Sequence, residues 1–504
     1  MKNLTQIVYL LDGFKASKID IIDNDDSTSR FTEFYGLIKN GELKTDEEAM
    51  NYFYPNLDKQ DQNYRKFKSL FNEKLINMVL FLDINNKKAS DHQNAIAEAE
   101  KLWAATIVLF NRFALSSAIE ISEKLLKHCI HYQLTELVVQ ITDRLKHLYG
   151  TVIGDTNKYN YLKDLHCEYF NYYGAELKAK ELFQSVRMGY VKSKAYNSKM
   201  YEVADKAIKE LEPFRENCAT YTFMSFWYYL NIAKYQTVFD HKNILKICEE
   251  GISHFKAKNF NADAQIAVLL NQKLISQIQL HYYEEGKITA KMVLNLQVEG
   301  THNWYKTLEE HMMLAFNTRE YAEAYAVYQT AVNHRDFKFL KGGNLEIWLL
   351  YEAYLCFVIK MGKIQGLTLE TSTFKNFKLS KFINNIGQFS NDKKGMNIPT
   401  LIIQYVLQLT EKNRSQLVDR IEAMEQYVKR HVKTDEAALR SHCFLKLLLE
   451  LSKVNYSKKL IGSKAKALLK EIENTQLDIM EQGDRIEILP FEYLWEEMQP
   501  LLKA

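Results

Sequence analysis

The sequence predicts an all-α fold, an α-solenoid of antiparallel helix pairs with a helical head at the N-terminus and a helical cap at the C-terminus. Glycine and proline are scarce, with 18 and 5 occurrences in 504 residues. No proline interrupts the long stretch between Pro213 and Pro399, so no residue there removes a helical hydrogen bond. Apolar residues recur three and four positions apart, which is the spacing of an amphipathic helix. Short polar breaks follow every run of about three to six turns, as in antiparallel helix pairs.

The composition narrows the class of protein. The 66 basic and 63 acidic side chains leave a net charge of +3, so nucleic-acid binding would have to rest on a local patch. The six cysteines lie far apart and form no CxxC pair, which is typical of reduced, mostly buried thiols. No run approaches the roughly 20 apolar residues of a membrane span, and the run from Ile7 to Leu11 is too short for a secretory signal. We therefore expect a cytoplasmic protein with no membrane segment.

Residues 1–96 are predicted to form the helical head. Thr45 and Glu48 have the spacing of a capping box, in which a hydroxyl and a carboxylate bond the backbone N–H groups at a helix start. A helix is therefore expected from Glu47 to Tyr54. Polar loops separate the apolar clusters of the head, which are Ile7 to Leu11, Phe31 to Ile38 and Phe67 to Leu82.

Residues 97–345 are predicted to form the helical repeats. A helix, a short break and another helix alternate along this stretch, with apolar stripes such as Ala114, Ala118, Ile121 and Leu125. Each of these helices needs a neighbour that covers its apolar face. Glycine-rich or polar breaks occur at residues 150–155, 240–243, 300–303 and 342–344.

One stretch in these repeats carries a family resemblance. Tyr321, Ala324, Tyr328 and Ala331 follow the order aromatic, small, aromatic, small. This order resembles the second helix of a tetratricopeptide repeat, in which small residues let two helices approach closely and aromatics fill the gap between pairs. The resemblance implies a degenerate, TPR-like solenoid of the bacterial kind, whose first helices line a concave face.

Weaker copies of the same pattern precede this stretch. Measured from the small position of each second helix, the units start at Ala204, Ile244, Ala290 and Ala324, with separations of 40, 46 and 34 residues. Only the last separation matches the period of about 34 residues that the family keeps. The resemblance therefore covers residues 160 to 360, and its repeats are irregular.

Residues 346–504 are predicted to hold further helical repeats and a capping helix. The segment from Ile488 to Trp495 concentrates apolar residues near the end of the chain. The last helix of a solenoid must be covered, so we favour a self-docked cap. A partner-binding segment is the alternative.

The sequence carries no pattern of a catalytic or cofactor site. It has no phosphate-binding P-loop, no GxGxxG, no GxSxG elbow and no HExxH. His128, Cys129 and His131 share one stretch of helix and offer zinc ligands, but a fourth ligand at standard spacing is missing. The acidic pairs, such as Glu249 with Glu250, are expected at solvated helix surfaces. We therefore predict no enzyme, no metal and no cofactor.

The leading functional prediction is a non-enzymatic scaffold or adaptor that holds a partner protein or peptide in the concave face of the repeats. Aromatics, amides and few charges at the inner positions of the first helices suit apolar pockets and backbone hydrogen bonds. Packed core is the competing interpretation of the same positions. The predicted groove residues are Phe226, Tyr229, Gln236, Gln272, Ile275, Gln279, Tyr282, Lys306, Glu309, Met313 and Phe316.

The alternative prediction is a regulatory or nucleic-acid-associated protein with a basic surface. Between residues 453 and 470 six lysines occur without an acidic residue, which is enough charge to meet phosphates. Only Tyr456 lies among them, so stacking on bases is poorly provided for. A solvated helix face is the simpler interpretation. The lysines of this patch are Lys453, Lys458, Lys459, Lys464, Lys466 and Lys470.

Overall fold

A computed structural model describes residues 1–13, 30–55, 60–80, 91–193, 198–387, 397–411, 417, 421, 425–426, 439–475 and 487–503. Twenty-one α-helices occur in this part of the chain, and it contains no β-strand beyond a single bridge between Ser457 and Lys503. The predicted all-α fold is confirmed. Among the described helices, none combines the length and the apolar character that a membrane crossing requires.

The chain divides into two compact units, Met1–His166 and Cys167–Ala504. This division does not test whether residues 1–96, 97–345 and 346–504 fold separately, so those boundaries stay predictions. The helices that begin in the first unit are α1 Lys2–Gly13, α2 Arg30–Lys39, α3 Asp46–Phe53, α4 Gln60–Leu80, α5 Asp91–Asn111, α6 Leu115–His131, α7 Thr135–Leu148 and α8 Thr156–Ser193, with a π-helical turn at Tyr149–Ile153.

The first four helices share an aromatic core. Helix α1 packs on α2 and α4, and α3 packs on α4. The rings of Phe34 and Phe71 are fully buried, with their centroids 4.7 Å apart. The predicted capping box is confirmed at the start of α3, where the Glu48 N–H donates to Thr45 Oγ1 over 3.2 Å and the Thr45 N–H donates to a Glu48 carboxylate oxygen over 3.0 Å.

In the second unit, helices that follow one another along the chain pack against each other. This arrangement is an α-solenoid, and the predicted fold class is confirmed. Its helices after α8 are α9 Ser198–Arg215, α10 Tyr221–Gln236, α11 His241–Lys256, α12 Asp263–Gln279, α13 Tyr283–Leu296, α14 His302–Asn317, α15 Tyr321–Val332, α16 Gly343–Lys360, α17 Leu379–Gly387, α18 Asn397–Thr410, α19 Leu439–Lys453, α20 Lys458–Asn474 and α21 Phe491–Met498.

The same tight turn joins the helices of three successive pairs. Phe239, His281 and Arg319 occupy the left-handed region, with φ of 55°, 56° and 62°. In each case the N–H of the following residue donates to the carbonyl five positions back, over 3.0, 2.9 and 2.8 Å. This is the Schellman geometry that satisfies the last carbonyls of a helix. It brings α10 and α11, α12 and α13, and α14 and α15 together as antiparallel pairs.

Small residues stand where the helices approach most closely. Tyr321, Ala324, Tyr328 and Ala331, which carry the family resemblance, are all buried on one face of α15. At Gly251 in α11, a Cβ atom would lie 2.8 Å from a methyl carbon of Leu269 in α12. A side chain at this position would force Leu269 or the nearby Tyr228 ring to move.

Two helices lie at the centre of the second unit. Helices α14 and α16 are buried on nearly every side, as expected of helices that neighbours surround completely. The rings of Trp348, Tyr351 and Tyr354 are among the largest fully buried side chains of α16.

The apolar segment near the C-terminus is docked on its own chain. Ile488, Leu489 and Phe491 are fully buried, and the Phe491 ring stacks on Phe444 with a centroid distance of 4.4 Å. Lys503, which follows α21 in the chain, accepts a hydrogen bond at its carbonyl from the N–H of Lys458 at the start of α20, over 2.9 Å. The segment therefore acts as the cap that the sequence analysis favoured.

Candidate functional site

Three aromatic side chains form one end of the candidate site. Phe226 and Tyr229 lie three residues apart on α10 and so share a face of that helix. Phe183 of α8 packs against both, with centroid distances of 5.6 Å to Phe226 and 5.7 Å to Tyr229. All three rings are half-buried. They offer an apolar surface that the described part of the chain does not cover completely.

Hydrogen bonds between side chains join α10 to α12 next to these rings. The Tyr229 hydroxyl donates to Gln265 Oε1, and Gln236 Nε2 donates to Gln272 Oε1 over 2.8 Å. Burial raises the pKa of Tyr229 to about 12, so its hydroxyl stays protonated and acts as a donor at neutral pH. The bonds fix the orientation of both glutamine side chains.

Gln265, Gln272 and Gln279 form a line along α12, which we call the glutamine row. They are seven residues apart, which is nearly two helical turns, so they share one face at intervals of about 10.5 Å. All three are half-buried, as is Ile275 between them. Within the described residues, Gln279 Nε2 has no hydrogen-bond partner although it is shielded from solvent.

The aromatic rings and the glutamine row together make a surface without formal charge, which we call the α8–α12 groove. It comprises Phe183, Phe226, Tyr229, Gln265, Gln272, Ile275 and Gln279. Tyr282 follows the row at the turn into α13 and is 39 % exposed. Five of the predicted groove residues and Tyr282 thus lie together on neighbouring helices, whereas Gln236 is buried beneath them as the partner of Gln272.

The predicted groove does not continue across α14. Met313 and Phe316 are buried in the core, and so is Glu309. Helix α16 packs against two of these residues, since the Tyr351 ring stacks on Phe316 and the Tyr351 hydroxyl donates to the Glu309 carbonyl over 3.4 Å. The structure therefore corrects the prediction at these positions, which serve packing.

Lys306 is the remaining predicted groove residue of α14. It is half-buried, and its Nζ pairs with the Glu309 carboxylate over 2.9 Å. The ion pair occupies the lysine within its own helix, so Lys306 adds no unpaired charge to the α8–α12 groove.

Two residues of the groove were missed by the sequence analysis. Gln265 could have been found, because it precedes Gln272 by the same seven residues that separate Gln272 from Gln279. Phe183 had no such signal, since α8 is a helix of 38 residues with apolar side chains on several faces. Its role follows only from the contact of α8 with α10.

The lysine patch is partly neutralised by an acidic residue that precedes it. Lys453 and Lys464 pair with Glu450 over 2.7 and 2.5 Å. Hydrogen bonds from both lysines lower the pKa of Glu450 to about 2. The other lysines of the patch are exposed on α20 and are Lys458, Lys459, Lys466 and Lys470.

The histidine and cysteine cluster on α6 is arranged for packing. Cys129 is buried, and burial raises the pKa of its thiol to about 12, whereas a metal ligand must be the thiolate. His128 and His131 pack their rings against Tyr132, with centroid distances of 4.8 and 4.7 Å. Throughout the described ranges, no three His, Cys, Asp or Glu side chains converge as a metal site would need.

Comparison of the chain with known protein families, with curated proteins and with solved structures found no match.

Proposed function

We propose that this protein is a non-enzymatic, TPR-like scaffold of the cytoplasm that holds a partner protein or peptide in the α8–α12 groove. The observation that carries the proposal is that half-buried aromatic and amide side chains of three helices lie next to one another, joined by ring contacts and by hydrogen bonds between side chains. Apolar contacts supply affinity at such a surface, and fixed amides supply directed hydrogen bonds.

The architecture of the second unit supports the TPR-like part of the proposal. The residues Tyr321, Ala324, Tyr328 and Ala331 are buried in the order that the family uses. The pair that contains these residues and the two pairs before it are closed by the same left-handed turn. In such an array the first helices of successive pairs line one face, and α10 and α12 are first helices here.

Affinity purification of the tagged protein from the cells that express it, followed by mass spectrometry, tests the proposal. The informative variant is Gln265→Glu with Gln272→Glu, because each glutamate keeps the oxygen that accepts from Tyr229 or Gln236 and adds a negative charge to the groove. We expect wild-type protein to retain one stoichiometric partner and this variant to lose it, because a desolvated, unpaired charge opposes binding.

The matched control is Ile288→Glu with Asn295→Glu. These two exposed residues of α13 are also seven positions apart, so the control adds the same charge at the same spacing. The control should keep the partner. Loss of the partner from both variants, or from neither, contradicts the proposal.

The second candidate function is binding of nucleic acid through the lysine patch, and it rests on the four lysines exposed on α20. The same purification distinguishes it, since nucleic acid in the eluate would disappear as salt is raised. A variant with Lys459→Glu and Lys466→Glu should then release the nucleic acid and leave a groove-bound partner in place. Retention of nucleic acid by that variant excludes the patch.

A further inference from the structure

The first compact unit contains a cavity between the start of α1 and one face of α4. Its volume is about 500 Å³, which is within the range of sites that bind small molecules. Four of its lining residues are exposed, so a ligand can enter from solvent. Two apolar side chains contribute to the lining, and its polar residues are Lys2, Asn3, Arg65, Lys68, Ser69 and Asn72.

The lining residues of α4 share one face of that helix. Arg65, Lys68, Ser69 and Asn72 are three, four and seven positions apart, which places them on neighbouring turns. The adjacent face of α4 is apolar and packs into the aromatic core of the unit. The buried residues of that face are Tyr64, Phe67, Phe71, Leu75 and Met78. This packing fixes the rotation of α4 and so keeps its polar face at the cavity.

The lining carries three cationic side chains and no carboxylate. Arg65 pairs with Asp61 one turn earlier over 2.7 Å, and Lys68 pairs with Asp46 over 2.7 Å. Lys2 makes no ion pair with any residue that the structure describes. One positive charge at the cavity is therefore uncompensated by its neighbours, and the local potential favours an anion.

The two paired cations keep hydrogen-bond donors for a ligand. The Asp46 carboxylate, which holds the Lys68 ammonium, also accepts from the buried Tyr64 hydroxyl over 2.7 Å. An ammonium group has three donors, so one bond to Asp46 leaves two. The Arg65 guanidinium meets Asp61 through Nε and one terminal nitrogen, which leaves three of its five N–H groups.

Neutral side chains of the lining add further donors. Asn3, Ser69 and Asn72 form no side-chain hydrogen bond within the described ranges of the chain. Each offers an amide or hydroxyl donor to a group in the cavity. Asn72 is half-buried at the edge of the core, so its amide has a limited choice of directions. The cavity thus combines positive charge with several unused donors.

A phosphate group matches this combination better than a carboxylate does. It carries between one and two negative charges at neutral pH and offers three acceptor oxygens, whereas a carboxylate has one charge and two oxygens. Guanidinium groups also suit phosphate geometry, because their N–H groups can contact two of its oxygens at once. A single phosphate would leave part of the 500 Å³ empty, so the cavity has space for an organic portion beside the two apolar side chains.

We propose that this cavity binds a small phosphorylated molecule, with its phosphate among Lys2, Arg65 and Lys68 and with Ser69 and Asn72 donating to the phosphate oxygens. The cavity belongs to the unit Met1–His166, whereas the α8–α12 groove belongs to Cys167–Ala504. The inference is therefore independent of the proposed scaffold function, and each can fail without the other.

Isothermal titration calorimetry of the full-length protein at constant ionic strength tests the inference, with pyrophosphate, glycerol 3-phosphate and AMP as probes. We expect saturable binding of at least one probe. A Lys2→Gln, Asn72→Asp variant should weaken it about tenfold or more, because the variant removes the unpaired cation and adds a like charge to the site. Neither side chain makes a hydrogen bond within the described residues, so thermal unfolding of the variant should match that of the wild type.

The matched control is Lys66→Gln with Asn63→Asp. Both residues are exposed on α4 outside the cavity lining, and the control changes the net charge by the same amount. It should bind the probe as the wild type does. Absence of saturable binding by all three probes overturns the inference. Equal affinity in all three proteins, or equal weakening in both variants, also overturns it, because the affinity would then not depend on the cavity.

Discussion

Single residues in this molecule adopt backbone conformations that their side chains disfavour. Phe113, in the turn between α5 and α6, has φ of 62° while its ring is 85 % exposed. Gln133, Phe239, His281 and Arg319 adopt the same conformation at the ends of other helices. A left-handed backbone costs about 1–2 kcal/mol for a residue with a Cβ atom, and glycine escapes this cost. The turns are therefore specified by the packing of the helices that they join.

Phe113→Gly should raise the free energy of unfolding by about 0.5–1 kcal/mol, because it removes the left-handed strain and sacrifices little packing. Chemical denaturation followed by circular dichroism measures the change. Phe113→Ala is the control, since alanine also removes the exposed ring and keeps the strain. Equal stabilities of the two variants would show that the turn is not strained.

Two helical glycines should respond to alanine in opposite directions. At Gly462 in α20 no heavy atom lies within reach of a new Cβ, so Gly462→Ala should stabilise the protein by up to about 1 kcal/mol through helix propensity. At Gly251 the new Cβ would meet Leu269 and the Tyr228 ring, so Gly251→Ala should destabilise it by about 1–3 kcal/mol. Thermal denaturation of both variants checks this, and stabilisation by Gly251→Ala would refute the close crossing of α11 and α12.

At the scale of elements, a buried ionic cluster fixes the C-terminal cap. The Arg440 guanidinium in α19 donates to both carboxylate oxygens of Glu487 over 2.6 and 3.0 Å and to Glu492 over 2.8 Å. It also donates to the carbonyls of Ile472 and Thr475 at the end of α20. Glu487 in turn accepts from the Phe491 N–H at the start of α21 over 2.8 Å. One arginine therefore links three helices.

Arg440→Met should lower the free energy of unfolding by about 3–5 kcal/mol, because it leaves the buried Glu487 carboxylate without its partner. Urea denaturation of the full-length protein measures this loss. Arg319→Met is the matched comparison: its guanidinium pairs with Glu496 of α21 at the surface, so its loss should cost no more than about 1 kcal/mol. Similar losses in the two variants would mean that the Arg440 cluster is not desolvated.

Patterns among residues close in sequence were enough to predict most of the helices. They were not enough to predict which residues line the candidate site. The capping box at Thr45, the helix around Tyr321 and the capping segment near Phe491 all depend on contacts close in sequence or on strong apolar clustering. Whether Phe316 faces a groove depends on α16, whose Tyr351 ring stacks on it and lies more than 30 residues later in the chain. A pattern on α14 alone cannot reveal that contact, because exposed and buried helix faces share the same apolar spacing.

At the scale of the whole molecule, the candidate site lies entirely within one compact unit. Every residue of the α8–α12 groove, from Phe183 to Gln279, belongs to the unit Cys167–Ala504. In a solenoid each repeat contacts mainly its neighbours, so the groove is held by α8 to α13 while α14, α16 and the cap close the core beyond it. The half-buried side chains of the groove therefore lie next to helices that are buried on nearly every side.

The central claim is that a partner occupies the α8–α12 groove, and photo-crosslinking in the cells that express the protein tests it most directly. A photoreactive phenylalanine at Tyr282, which is exposed at the end of the glutamine row, should yield one discrete crosslinked product. That product should disappear in the Gln265→Glu, Gln272→Glu background. The same probe at Ile288, which is exposed on α13, should not yield it. A product that forms equally from both positions, or that survives the glutamate substitutions, would contradict the account.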